Sequence, residues 1–194
     1  MEELFMNAVK AGNLEQLRTL LTGGAASDTR DAAGWSALMW AAALGFPDVV
    51  RILLANGADP EVRDEYGATA LMKACRRGFP EVVEQLLEHG AEVDAEDEFG
   101  WTALMRAARG GYAHVVKLLV ENHANVEAAD QYGATALIMA ASEGHTDVVR
   151  ILVDCGADIH SQDRNGWTAL TWAVSMRHKD VIAALKTAEA KLRH

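Results

Sequence analysis

Cysteine, proline and long apolar runs are all scarce in this sequence. Its 194 residues include 2 cysteines and 3 prolines. Two cysteines cannot build a disulfide framework, and no Cys-x-x-Cys pair is present to bind zinc. The lack of a Ser/Gly-rich or Pro-rich run argues against a disordered linker. No uncharged apolar stretch approaches the roughly 20 residues needed to span a bilayer, so we expect no membrane association.

Basic residues are also few relative to acidic ones. The chain has 18 lysines and arginines against 28 aspartates and glutamates, a formal net charge of −10. This acidity argues against a general affinity for nucleic acid, which basic patches provide. The first residues, Met1-Glu2-Glu3-Leu4, carry acids where a signal peptide carries bases. We therefore expect a cytoplasmic protein, with the nucleus as the alternative compartment.

Motifs that carry chemistry are missing as well. There is no Gly-rich phosphate loop, no Gly-x-Ser-x-Gly elbow and no His-Glu-x-x-His pair. Cys75 takes the place of an alanine in an Ala-Ala pair, which predicts a buried and inert thiol. Cys155 lies at a predicted helix end and has no adjacent base to activate it. The sequence predicts no enzyme activity, no cofactor and no metal site.

A repeat of 33 residues dominates what is present. Five glycines are spaced by this interval, and each has an aspartate three residues before it and a hydroxyl residue two residues after it. Ala-Leu follows the hydroxyl residue in all five copies. The aspartates are Asp31, Asp64, Asp97, Asp130 and Asp163. One aspartate per copy at a turn indicates a structural role for the carboxylate rather than a catalytic one.

Each copy carries the pattern of two short helices. In residues 64–96, Thr69 is a typical N-cap residue and predicts a helix to about Arg77, which Gly78 ends. Pro80 fits the start of a second helix. The Val-Val and Leu-Leu pairs that follow place one apolar stripe on that helix. Gly90 predicts the left-handed turn that closes it.

These features together resemble the ankyrin repeat. The resemblance implies an all-α solenoid of stacked helix-turn-helix units with short β-turn or hairpin loops. It implies four full copies at 31–63, 64–96, 97–129 and 130–162. Residues 1–30 then form an N-terminal capping repeat, and residues 163–194 form a C-terminal one.

The sequence departs from the family pattern at a few positions. The usual Thr-Pro-Leu-His reads mostly Thr-Ala-Leu-Met, which replaces a polar contact between repeats by apolar packing. His123 stands where the other copies have a helix-ending glycine. Because a non-glycine residue with positive φ is disfavoured, we expect that helix to end differently. His145 and His178 occupy a position where the family has a structural histidine.

The resemblance also implies a protein-binding surface on a concave groove and on the hairpin tips. With each aspartate as position 1, the family's contact positions are 2, 3, 5, 10, 13 and 14. Eight of the twelve aromatic residues occupy positions 3, 5 and 10, and aromatic residues and arginine are typical of interface hot spots. The candidate binding residues are Trp35, Trp40, Tyr66, Lys73, Arg76, Arg77, Phe99, Trp101, Arg106, Arg109, Tyr132, Met139, Trp167 and Trp172.

The bases of the two central copies are concentrated on the first helices. Lys73 and Arg106 share position 10, and Arg76 and Arg109 share position 13, so we expect neighbouring bases in the groove. Two interpretations stay open. The bases bind an acidic segment of a partner, or they pair with carboxylates of adjacent repeats, namely Glu143, Glu65 or Glu98.

The sequence thus predicts a monomeric module that binds another protein or peptide, acidic in the first interpretation of the bases. The alternative is an engineered or consensus-like ankyrin scaffold with no natural ligand. Regular repeats and short caps favour the alternative. The varied contact positions and off-consensus residues such as His123 favour the binding module.

Overall fold

A computed structural model describes residues 1–192, which contain twelve α-helices and no β-strand. The chain divides into two compact units, one of residues 1–98 and one that begins at Phe99. The helices of the first unit are α1 Glu2–Lys10, α2 Leu14–Thr22, α3 Ala37–Leu44, α4 Pro47–Ala55, α5 Ala70–Arg77 and α6 Pro80–Glu88. Those of the second unit are α7 Ala103–Gly110, α8 Ala113–Glu121, α9 Ala136–Glu143, α10 Thr146–Asp154, α11 Ala169–Met176 and α12 Lys179–Leu192.

The first helix of each 33-residue copy starts at a hydroxyl residue, as the sequence predicts. The Thr69 side chain accepts a hydrogen bond from the Met72 amide, and the other four copies repeat this bond three residues into the helix. Such a cap satisfies one of the amides that the first turn leaves unpaired. It also fixes where the helix begins, and therefore which side chains face the core.

Each unit is a stack of helix pairs. In the first unit α3 packs against α1 and α5, while α4 packs against α2 and α6. In the second unit α9 packs against α7 and α11, and α10 packs against α8 and α12. In the pairs α3–α4, α5–α6, α7–α8 and α9–α10 the core is built from the Ala-Leu and Val-Val stripes, whose side chains are almost fully buried. Burial of these aliphatic side chains between successive pairs supplies the main stabilisation of such a stack.

An aromatic ring or imidazole before four of the second helices, α4, α6, α10 and α12, lies against a glycine of the preceding copy. In the first unit, a Cβ added to Gly45 would lie 2.7 Å from the Phe79 ring. In the second unit, a Cβ at Gly111 would lie 2.5 Å from Nδ1 of His145. Nε2 of His145 also lies 2.9 Å from the Arg109 carbonyl oxygen, which can only accept, so Nε2 carries the proton.

His178 repeats this arrangement one copy later. Its Nε2 lies 3.0 Å from the Ser142 carbonyl oxygen, and its ring lies against Gly144. The predicted structural role of His145 and His178 is therefore confirmed. Both imidazoles join one copy to the preceding one through a hydrogen bond and a close ring contact.

The expectation that the helix before His123 ends differently is wrong. Helix α8 ends at Glu121, Asn122 follows as its cap, and His123 has φ 65°. In the preceding copy α6 ends at Glu88, followed by His89 and by Gly90 with φ 83°. The turn is the same in both copies. The packing on both sides fixes the chain path, and the backbone of His123 therefore adopts the left-handed conformation.

The two cysteines differ as predicted. Cys75 is buried within α5, and Cys155 is exposed as the residue that caps α10. None of the described helices combines the length and the apolar character needed to cross a bilayer.

Candidate functional site

The hairpin tips are held in shape by the repeated aspartates. Oδ1 of Asp64 accepts hydrogen bonds from the amides of Tyr66 at 3.0 Å and Ala68 at 2.9 Å. Oδ1 of Asp130 does the same for Tyr132 and Ala134 at 2.8 and 2.9 Å. Asp31 and Asp163 repeat the arrangement. The structural role predicted for the aspartates is confirmed at these four positions, since one oxygen of each carboxylate organises a tight turn.

The second carboxylate oxygen binds the residue at position 10 in three copies. Trp40 Nε1 donates to Asp31 Oδ2 at 2.7 Å, and Trp172 Nε1 donates to Asp163 Oδ2 at 2.9 Å. Lys73 Nζ lies 2.5 Å from Asp64 Oδ2. Three of the predicted contact residues therefore use their polar atoms within the fold, and only their apolar parts are available to a partner.

These hydrogen bonds perturb the carboxylates. Burial raises the pKa of Asp64, but donation from Lys73 and from the Ala68 and Tyr66 amides outweighs it, so the net pKa is lowered. The pKa values of Asp31 and Asp163 are also lowered, since donors to both oxygens outweigh the burial that raises them. The three carboxylates are consequently held in the charged form near neutral pH.

The tryptophans at positions 5 and 10 of one copy contact each other. The ring centroids of Trp35 and Trp40 are 4.7 Å apart, and those of Trp167 and Trp172 are 4.8 Å apart. In the first unit, Lys73 Nζ lies 4.0 Å from the centroid of the Trp35 ring and Lys10 Nζ lies 4.1 Å from that of Trp40. These are cation–π distances, and they fix the orientation of half-buried rings.

The aromatic residues at position 3 project from the hairpin tips. Tyr66, Phe99 and Tyr132 are 52%, 43% and 62% exposed. Their backbones are fixed, because the carbonyl oxygens of Phe99 and Tyr132 accept amides of the next tip at 3.0 and 2.9 Å. Large apolar rings on a rigid backbone lose little conformational entropy on binding, which favours them as anchors of an interface.

The predicted bases fall into three groups. Arg76 and Arg77 are exposed and form no ion pair with any residue in the range 1–192. Lys73 is engaged by Asp64. The guanidinium groups of Arg106 and Arg109 lie 5.4 and 5.3 Å from the Trp101 ring centroid.

Arg109 also contacts Glu143 at 3.4 Å. Pairing with a carboxylate of the next repeat is thus observed for Arg109, whereas Arg76 and Arg77 stay available for a partner. The predicted closeness of Lys73 to Arg106, and of Arg76 to Arg109, stays a prediction.

Five of the predicted contact residues of the second unit line one pocket of about 280 Å³. These residues are Trp101, Arg109, Tyr132, Met139 and Trp172. The remaining three predicted residues of this unit, Phe99, Arg106 and Trp167, do not line it. A larger groove of about 810 Å³ between α10 and α12 contains none of the predicted contact residues.

The sequence prediction missed that Asp130 lines this pocket. The sequence pattern assigns Asp130 to the turn alone. The signal that could have revealed it is Met139, which stands at position 10 where other copies have tryptophan, lysine or arginine. A thioether side chain cannot donate a hydrogen bond to the carboxylate. In the described range 1–192, no three His, Cys, Asp or Glu side chains are grouped so that they could hold a metal ion.

The chain matches a protein-family model described as Ankyrin repeats (3 copies), over residues 5–97, 91–163 and 130–193. Because these matches span nearly the whole sequence, the chain belongs to the ankyrin-repeat family, and the all-α ankyrin fold predicted from the repeat is confirmed. A search of curated proteins gave no match. Ankyrin repeats are in general protein–protein interaction modules.

Proposed function

We propose that this chain is a non-enzymatic module that binds a partner protein or peptide through its first-helix faces and hairpin tips. The observation that supports it most directly is the set of exposed aromatic rings on hydrogen-bonded tips, Tyr66, Phe99 and Tyr132. Exposed aromatic rings on a rigid backbone are more typical of a binding surface than of a solvated face.

The remaining predicted residues extend this surface within each unit. In the first unit they are Trp35, Trp40, Lys73, Arg76 and Arg77, and in the second they are Trp101, Arg106, Arg109, Met139, Trp167 and Trp172. We propose that the apolar faces of the tryptophans contact the partner, since indole N–H groups of two of them are used by aspartates. The predicted repeat boundaries, at residues 30, 63, 96, 129 and 162, are retained as part of the proposal.

Arg76 and Arg77 support an acidic segment as the ligand of the first unit. Both are exposed on α5, and neither has an acidic partner within residues 1–192. Free guanidinium groups bind carboxylates in a bidentate geometry. The proposal includes a monomeric, cytoplasmic or nuclear protein that binds neither nucleic acid nor membranes, in keeping with the net charge of −10.

The alternative is an ankyrin scaffold with no natural ligand. Its support is the regularity of the repeats, and no specific contact in either unit favours it. The aromatic tips argue against it, because a scaffold selected only for stability gains nothing from exposed tyrosine and phenylalanine.

The test is capture of partners from a cell lysate by the wild-type chain and by a Tyr66→Ser, Tyr132→Ser variant. Both tyrosines are exposed at turn tips, so the variant is expected to fold with an unchanged far-UV spectrum. The control is Glu84→Ala with Arg150→Ala, which alters exposed residues of second helices. We expect proteins that the wild type and the control retain and the tyrosine variant loses.

Two outcomes would contradict the proposal. If the wild type, the tyrosine variant and the control capture the same proteins, the interface does not include the tips. An empty wild-type lane from several lysates would favour the scaffold without a ligand. For the acidic segment, Arg76→Glu with Arg77→Glu is expected to weaken binding of the captured protein, and unchanged binding would exclude that part of the proposal.

A further inference from the structure

We propose that the pocket around Asp130 in the second unit binds a lysine side chain of the partner, whose ammonium group donates to Oδ2 of Asp130. This inference rests on the proposed binding function, and it specifies the chemistry of one partner residue. It is carried by a comparison between equivalent positions of the two units.

The first unit contains the complete arrangement. Lys73 Nζ lies 2.5 Å from Asp64 Oδ2 and 4.0 Å from the centroid of the Trp35 ring. The side chain of Lys73 is only 11% exposed, and that of Asp64 is fully buried. A lysine ammonium thus fits between a tip carboxylate and a tryptophan of the preceding copy.

The second unit contains the same arrangement without its lysine. Counting 66 residues onward, or two repeats, Trp35 corresponds to Trp101 and Asp64 to Asp130. Lys73 corresponds to Met139, which is 6% exposed and lines the pocket. The carboxylate and the aromatic ring are both retained, but Met139 cannot donate to the carboxylate as Lys73 does.

Asp130 has one carboxylate oxygen without a partner. The residue is 8% exposed, and its Oδ1 accepts the Tyr132 and Ala134 amides. Its Oδ2 has no hydrogen-bond donor among residues 1–192, whereas Oδ2 of Asp31, Asp64 and Asp163 each has one. The described side-chain atoms that are buried without a partner do not include this oxygen, so Oδ2 is open to solvent at the pocket, where a donor from a partner can reach it and form a charged hydrogen bond.

The charges that line the pocket favour a cation over an anion. Its lining contains the carboxylates of Asp130, Glu143 and Asp163 and the single guanidinium of Arg109. Glu143 is paired with Arg109, and Asp163 is engaged by Trp172. The charge that lacks a partner is therefore negative and belongs to Asp130.

The apolar lining suits the rest of a lysine side chain. The rings of Tyr132 and Trp172 line the pocket, and aromatic faces attract cations. The Trp101 ring also lines it but already faces the guanidinium groups of Arg106 and Arg109. The thioether of Met139 can pack against the lysine methylene groups because it is unbranched and adapts its shape. The volume of about 280 Å³ leaves room for one side chain of this size.

The first experiment uses a small probe on the full chain. N-acetyl-L-lysine methylamide is titrated while ¹H–¹⁵N NMR follows the Tyr132 and Ala134 amides, which donate to Asp130, and the Trp101 indole. N-acetyl-L-norleucine methylamide, which has no ammonium group, is the matched control. We expect saturable shifts with the lysine probe alone, with a dissociation constant on the order of 1–10 mM for one charged hydrogen bond and one cation–π contact.

Four variants sharpen the test. Asp130→Asn keeps an acceptor for the turn but removes the charge, and it is expected to weaken lysine binding about tenfold. Met139→Lys places an internal ammonium at Asp130, as Lys73 does at Asp64, and is expected to abolish binding, whereas Met139→Leu retains it. Arg109→Ala removes a like charge and is expected to strengthen binding, whereas it would weaken binding of an acidic ligand.

Equal shifts with the lysine and norleucine probes would overturn the cation site, as would equal lysine binding by the wild type and Met139→Lys. No saturable shift up to about 100 mM would also overturn it. The proposed function is tested separately from the lysine site.

Binding of the lysine probe without any captured partner would contradict the proposed function but support the lysine site. A captured partner that binds Met139→Lys as tightly as wild type would keep the function and exclude the use of this site by that partner.

Discussion

The ammonium of Lys73 lies 2.5 Å from Oδ2 of Asp64 and 4.0 Å from the centroid of the Trp35 ring. A residue that the repeat pattern assigns to the binding surface thus also neutralises a buried carboxylate of its own copy. The equivalent pairs are Trp40 with Asp31 and Trp172 with Asp163. In these copies the residue at position 10 lies on the first helix and stabilises the hairpin tip by donating to its aspartate. Position 3 of the hairpin tip is where Tyr66, Phe99 and Tyr132 are exposed.

The first prediction concerns this pair. Lys73→Met, which copies the residue at position 139, removes the donor to Asp64 Oδ2 and leaves that oxygen buried without a partner. We expect the free energy of unfolding to fall by about 1–3 kcal/mol. Urea denaturation followed by circular dichroism would measure it.

The control for this variant is Lys117→Met. Lys117 is 66% exposed and lies 3.7 Å from Glu121 one helical turn away. Exposed pairs of this kind contribute little, so we expect a change within about 0.5 kcal/mol. Equal effects of the two substitutions would show that the contact with Asp64 is not stabilising.

The second prediction concerns pH. The pKa of Asp64 is lowered in the folded chain, whereas it is about 3.9 in an unfolded chain. A lowered folded pKa stabilises the fold above the unfolded pKa, and this contribution is lost as the pH falls through the folded value. We expect wild type to be more stable than Asp64→Asn at pH 7, and the difference to shrink progressively below about pH 4.

Urea denaturation of both proteins from pH 7 down to pH 2.5 would test this linkage. Asparagine keeps an oxygen for the Tyr66 and Ala68 amides, so the comparison isolates the charge rather than the turn. A stability difference that stays constant over this range would mean that the Asp64 carboxylate does not titrate differently in the folded and unfolded chains.

Much of the fold could be predicted from the sequence because its signals are local. The hydroxyl caps, such as Thr69, and the glycine turns, such as Gly78, depend on residues within one helical turn, and their 33-residue recurrence sets the register. The helix predicted from Thr69 to about Arg77 is observed at Ala70–Arg77. Stacking of the pairs then follows from the apolar stripes alone.

The candidate site could be predicted only in part, because side-chain contacts decide it. Their place at position 10 identifies Lys73 and Trp172 as residues of the first-helix face. It does not reveal that their polar atoms bind an aspartate nine residues earlier in the chain. The sequence pattern equally treats Asp130 as one more turn residue. Its unpaired oxygen becomes evident only when the donor at position 10 of each copy is compared.

The third prediction compares two glycine-to-alanine substitutions, one that strains only the backbone and one that also places a methyl group against an imidazole ring. Gly57 and Gly111 both have positive φ, 83° and 74°. A Cβ at Gly57 would meet nothing within 4 Å, whereas at Gly111 it would lie 2.5 Å from His145 Nδ1. We expect Gly57→Ala to cost about 1 kcal/mol for the left-handed backbone and Gly111→Ala about 3 kcal/mol or more.

Thermal and urea unfolding of the two alanine variants would measure this difference. The larger cost at Gly111 arises because the imidazole must move away from the added methyl group, which breaks its hydrogen bond to the Arg109 carbonyl oxygen. Equal costs for the two substitutions would mean that the His145 ring can shift freely and does not hold the two copies together.

The fourth prediction concerns the left-handed histidine. His123 has φ 65° and is exposed, and its side chain has no hydrogen-bond partner within residues 1–192. His123→Gly therefore removes backbone strain without loss of a contact. Strain in the left-handed region costs about 1–2 kcal/mol for an L-residue, and the greater freedom of glycine in the unfolded chain offsets part of the gain. We expect a net stabilisation of about 0.5–1 kcal/mol.

His89→Gly is the matched control, because His89 is also an exposed histidine at the end of a second helix. Its φ is −97°, and its Nδ1 lies 2.8 Å from the Gln85 carbonyl oxygen. Glycine at this position relieves no strain and loses that contact, so we expect a destabilisation of about 0.5–1 kcal/mol. Urea midpoints that move in the same direction for both variants would contradict the assignment of strain to His123.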